Sequence, residues 1–99
     1  MAINGHTSIL TLKTLVACKG ATSSPLSLKA ITRSLGMNGA SAELKVRGSL
    51  ESLMKTRKIV REKDKYTHLF VYKITQTGLD FLERENVEEH IREQEVSEV

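Results

Sequence analysis

The hydrophobic period changes once in this chain, at Arg57, and that change limits the folds open to it. Before it, apolar residues recur at the three- and four-residue spacing of helices; after it come two short runs with the composition of strands. From Ser8, the residues Ile9, Leu12, Leu15 and Val16 predict a first helix that stops at Gly20. Residues 21–25, small and polar with the only proline, read as a loop, and Leu26 as a brief extended stretch. Ser27 then caps a second helix built on Leu28, Ile31 and Leu35 and ended by Gly36. Residues 1–7 have no periodicity and read as a flexible arm.

The segment Met37-Asn38-Gly39-Ala40 is short enough only for a tight turn into a third helix over about 41–56, with Ser41 as its N-cap. Val46, Leu50, Leu53 and Met54 form its apolar stripe. Past Arg57, residues 59–63, a polar bend at 64–67 and residues 68–74 predict a hairpin. Thr75 or Thr77 would cap a last helix with Leu79, Leu82, Val87 and Ile91 on its apolar side, running into a polar tail.

Ninety-nine residues suffice for one small domain and exclude a two-domain enzyme with an interdomain cleft. Cys18 is the only cysteine, which excludes a disulfide framework and fits a reducing compartment; beside Leu15 and Val16 it reads as a buried apolar residue. No apolar run is longer than four residues, so the expectation is a soluble, cytoplasmic chain without a membrane span. His6, His68 and His90 fall in three different segments, and no phosphate-cradling glycine pattern occurs, so neither a catalytic cluster, a metal site nor a nucleotide cofactor is expected.

Charge is unevenly distributed. Residues 1–77 hold thirteen Lys and Arg against four Asp and Glu, whereas 78–99 hold two against eight, giving the net +3. A basic body suited to a polyanion is thus joined to an acidic end over about 84–99. With two Tyr, two Phe and no Trp, stacking on single-stranded bases has little to work with.

The order of helix, extended piece, helix, tight turn, helix and hairpin resembles a winged helix-turn-helix domain of the MarR/PadR-like kind found in small archaeal and bacterial transcription regulators. The resemblance is carried by residues 28–36 (LKAITRSLG), by Val46, Leu50, Leu53 and the Ile59-Val60-Arg61 start of the wing, and by 72–82 (YKITQTGLDFL), with its Ile-Thr-x-x-Gly pattern. It covers about residues 8–83. One departure stands out: the family usually has glycine just before the apolar pair of the first wing strand, where this chain has Arg57 and Lys58. The fold implied is α+β and mostly helical, with a three-helix core, a two-stranded wing and a C-terminal helix.

The third helix can also be read from geometry. Opposite Val46, Leu50 and Leu53 lie Ser41, Leu44, Lys45, Gly48, Ser52 and Lys55, a face that is small, polar or cationic at most positions. Such a face suits a major groove, with Arg47 to one side placed for phosphate, and Arg57, Lys63 and Lys65 around a wing laid on the backbone or minor groove. Gly48 either lets the helix sit deep or accommodates a neighbouring helix. The expected DNA-binding set is therefore Ser41, Lys45, Arg47, Gly48, Ser52, Lys55, Arg57, Lys63 and Lys65. The resemblance further implies a homodimer in which the last helix packs with the first across a two-fold axis, through Ile9, Leu12, Leu79, Leu82, Val87 and Ile91. The function expected is sequence-specific duplex binding as a transcriptional regulator, a repressor rather than an activator. An architectural or plasmid-partition protein and a protein-interaction adaptor that never touches DNA remain open, and no small-molecule ligand is evident.

Overall fold

The computed structural model describes residues 8–20 and 25–97, with side chains to residue 94. The expected arm at 1–7 and most of the loop at 21–25 lie outside the described residues. Helix α1 (Ile9–Lys19) starts where Ser8 accepts a 3.1 Å hydrogen bond from the Thr11 amide and ends at Gly20. Its buried stripe is Leu12, Leu15 and Cys18; Thr14, also buried, satisfies its hydroxyl on the Leu10 carbonyl at 2.8 Å. Ser27 closes the two-residue strand β1 (Leu26–Ser27) and caps α2 (Leu28–Ser34) through the Ala30 amide.

Gly36 and Gly39 have positive φ, 75° and 95°, and turn the chain into α3 (Ala40–Lys55). The helix therefore begins earlier than its sequence suggests. Gly39, not Ser41, is the N-cap, and it provides no side-chain acceptor. The tightness of the turn decides this: the capping position has φ 95°, a conformation serine avoids, so Ser41 falls in the first turn instead.

Strands β2 (Ile59–Lys63) and β3 (Phe70–Ile74) pair antiparallel, Ile59 opposite Ile74 and Arg61 opposite Tyr72. Strand β1 adds to the other edge of β3, with Leu26 opposite Tyr72, so the hairpin becomes a three-stranded sheet in the order β1-β3-β2. The alternation of β2 and β3 puts Ile59, Tyr72 and Ile74 into the core with Ile31, Val46 and Leu50.

The last helix expected from the sequence is two helices. Helix α4 (Gln76–Arg84) is capped by Thr75, ends at Glu85, and is followed by Asn86 at φ 49° and α5 (Val87–Ser97). The five-residue step from Leu82 to Val87 is the reason: on one continuous helix it would rotate Val87 about 140° off the Leu82 stripe. A break at Asn86, a residue type that tolerates the left-handed region, lets both be buried, at 5% and 0% exposure. The Lys19 ammonium, 3.1 Å from a Glu88 carboxylate oxygen, ties the end of α1 to α5.

The six residues expected at a dimer surface differ in their burial within one chain. Leu12, Leu82 and Val87 belong to the chain's own core, whereas Ile9, Leu79 and Ile91 are only half-buried against it. Apolar spacing marks a residue for burial without saying which surface buries it.

Candidate nucleic-acid interface

Helix α3 owes its orientation to what holds its two ends. At its C-terminus Arg57 has φ 60°, its amide bonds the Met54 carbonyl at 3.0 Å, and the Lys58 amide bonds the Leu53 carbonyl at 2.9 Å. That is the left-handed helix terminus which glycine usually supplies. The departure from the family pattern at Arg57 thus changes the residue and keeps the backbone path. The turn is fastened from outside: the Thr75 hydroxyl donates to the Arg57 carbonyl at 2.6 Å and the Thr75 amide to the Lys58 carbonyl at 3.0 Å. Gly78 is buried against the same turn.

The buried stripe Val46, Leu50 and Leu53 then fixes which side of α3 faces out. Ser41, Lys45, Arg47, Gly48, Ser52 and Lys55 are all exposed. Gly48 has open space around it, with nothing within 4 Å of where a Cβ would stand, so it does not accommodate a neighbouring helix. The outward face is not uniformly cationic. Glu51 is exposed between Arg47 and Lys55, and Leu44 stands out at 65% exposure.

Beside α3 runs a groove of about 590 Å³, walled by Glu43, Arg47, Glu51 and Met54 of that helix, by Ser27, Leu28 and Lys29, and by Arg61, Phe70 and Tyr72 of the sheet. It joins Arg47 to two cations outside the expected DNA-binding set, Lys29 and Arg61. Arg61 was legible in principle. It lies two residues from buried Ile59 and so on the same sheet face, and its guanidinium stacks 4.2 Å from the Phe70 ring centroid. No small-molecule ligand is evident from the sequence, and the groove, assembled from five elements, has no local sequence signature.

Arg57, Lys63 and Lys65 are exposed around the wing. Lys58 has a different environment: its ammonium lies 4.5 Å from the Phe81 ring centroid, and burial, then the nearby Arg84 charge, lowers its pKa. The wing tip is shaped by Asp64, whose Oδ1 accepts from the Tyr66 and Thr67 amides at 2.8 and 3.0 Å. These bonds, with Thr67 the largest contributor and then Tyr66, hold the Asp64 carboxyl below its ordinary 3.8. The turn extends through His68, at φ 61°, and Leu69, so β3 starts later than 68.

Among the described residues no three His, Cys, Asp or Glu side chains are grouped to hold a metal ion, and no helix is long and apolar enough to cross a membrane.

No protein-family model and no curated protein matches the chain. Solved structures do. A mutant of MepR from a multidrug-resistant S. aureus clinical isolate matches at TM-score 0.67 and 19% identity, over 91% of this chain and 63% of its own. The S. aureus MepR–DNA complex matches at 0.66 and 18%, over 90% and 62%. S. aureus MepR bound to ethidium bromide matches at 0.67 and 17%, over 99% and 69%. This chain therefore spans less than two thirds of the length of the first of these proteins. With the five helices and antiparallel sheet of its described residues and the likeness to MepR, the chain has the winged-helix fold.

Proposed function

We propose that this chain binds double-stranded DNA sequence-specifically, as a homodimeric transcriptional regulator acting as a repressor. One observation carries the reading: the side of α3 turned away from the core is left uncovered by the described residues, presents Lys45, Arg47 and Lys55, and is bare at Gly48. In this reading α3 enters a major groove. Lys45 reaches a base edge or phosphate, Ser41 and Ser52 offer hydroxyls, and Arg47, Lys55 and Arg57 meet phosphates. The wing follows the neighbouring backbone or minor groove through Lys63 and Lys65. A structure of MepR with DNA, sharing this fold, adds support.

The second copy would seat where α1, α2 and α5 leave a shallow groove of about 320 Å³ lined by Val16, Ala17, Leu35 and Ile91. A two-fold axis there sets the two α3 helices about one DNA turn, ~34 Å, apart and selects a pseudo-palindromic site. Repression follows from occupancy of such a site and would be read as falling transcription of a reporter placed behind it.

The test is selection of sites from a random duplex pool, followed by a salt titration. A dimer that neutralises about 6–10 phosphates has a log–log salt slope of roughly −5 to −9. A slope near zero, or no enriched sequence, defeats the DNA reading, and a sedimenting monomer at micromolar concentration defeats the dimer. The rival adaptor reading draws on the exposure of Leu69 and Phe70 at the wing, 58% and 49%. It requires that joint replacement of Lys45 and Arg47 by Ala leave the partner bound, where DNA binding would be lost.

A further inference from the structure

Leu44 occupies the middle of the outward face of α3. Nine positions separate it from buried Leu53, so at about 100° per residue the two side chains point in opposite directions. It is not part of the core and is 65% exposed. One turn later comes Gly48, where a Cβ would meet nothing within 4 Å. Helical side chains lean toward the N-terminus, so the patch that a side chain at 48 would cover lies beside Leu44. An isobutyl group thus stands next to bare backbone, an apolar step on a face that otherwise carries hydroxyls and charges.

Packing within the chain accounts for neither residue. Leu44 touches solvent, and glycine is a poor helix former whose only structural merit, close approach of a neighbour, is unused at 48. Of the groups on base edges in the major groove of unmodified DNA, only the thymine C5-methyl is an apolar knob. Lys45, Arg47 and Lys55 surround the step with the charge that would hold a phosphate backbone near it.

We propose that Leu44 and Gly48 together read the C5-methyl of a thymine at one fixed position in each half-site, making Leu44 a specificity-determining residue. The proposal rests on α3 being the DNA-binding helix. An uncharged side chain adds little to the phosphate term, so Leu44 decides which sequence is held and not how strongly DNA in general is held.

The experiment uses a duplex selected by the full chain from a random pool, with each thymine replaced in turn by deoxyuridine to delete one methyl. The unsubstituted protein loses about fourfold in affinity at one thymine per half-site, the effect of burying one methyl-sized group. Leu44→Ala binds the thymine duplex more weakly, is indifferent to that same replacement, and keeps the affinity for random duplex and the salt slope unchanged. Leu44 is outside the core, so an unshifted thermal transition shows the variant folded. If no thymine methyl matters to the unsubstituted protein, or both proteins lose equally at the same position, the inference is overturned while DNA binding stands. If no duplex is bound, the DNA reading fails and this inference with it.

Discussion

The hydroxyl of Thr75 reaches across the sheet to the carbonyl of Arg57 at 2.6 Å while its lone pair accepts from the Gly78 amide at 3.1 Å. One side chain therefore caps α4 and pins the turn that ends α3, coupling the closing helix to the end of α3. The Ile-Thr-x-x-Gly pattern has this physical content. Removing the hydroxyl in Thr75→Ala takes away a cap acceptor and a donor together, an expected loss of about 1–3 kcal/mol in denaturant unfolding, with Thr75→Ser recovering most of it.

Arg57 holds a left-handed backbone that glycine adopts freely. Arg57→Gly is expected to raise folding stability by about 1 kcal/mol while removing one cation per protomer and flattening the salt slope by about 1 for each phosphate no longer neutralised. Calorimetry and a salt titration on the same variant should move in opposite senses.

Gly78 presents the reverse case. A Cβ there would collide with the Lys58 carbonyl oxygen and stand 2.7 Å from Ile74 Cγ1, so backbone would have to move. Gly78→Ala is expected to destabilise by roughly 2–4 kcal/mol, measured as a lower urea midpoint. Gly48→Ala, in open space, should stabilise by about 0.5–1 kcal/mol and raise the melting temperature, yet weaken binding to the selected duplex.

The Asp64 carboxylate accepts two amide bonds in the folded wing, and its folded pKa is lowered from 3.8. Its stabilising contribution is present above 3.8 and lost as pH falls through the folded value, when the protonated oxygen becomes a poorer acceptor. Amide exchange at Tyr66 and Thr67, corrected for intrinsic rates, should therefore lose protection on acidification. Asp64→Asn, which keeps an acceptor but does not titrate, should remove that pH dependence.

Burial pushes the Cys18 thiol from 9.0 up to about 12. In the native protein it should resist iodoacetamide at pH 8 and be labelled only on unfolding. The unfolded chain ionises this thiol first, so folding stability should fall as pH rises from 9.0 toward 12.

The elements of this fold were legible because each is announced by neighbours in the chain. Ser8, Ser27 and Thr75 cap helices through amides three residues on, Gly36 turns the backbone, and the period switch at Arg57 separates helix from sheet. The outward face of α3 followed as well, since the phase of Val46, Leu50 and Leu53 determines it at fixed residues per turn. The wing's third strand needed only Leu26 to find an edge of β3.

Three things required the tertiary structure. The start of α3 at Gly39 depended on how tightly the turn from α2 had to close. The break at Asn86, and with it the burial of Leu12, Leu82 and Val87 inside one chain, depended on α4 and α5 both packing on α1. The groove that brings Arg47 and Glu51 to Arg61 and Phe70 depended on five elements meeting. Hydrophobic spacing states that a side chain must leave water, a local property of the chain; which surface covers it, and which charges are thereby brought together, is settled only when distant segments compete for the same space.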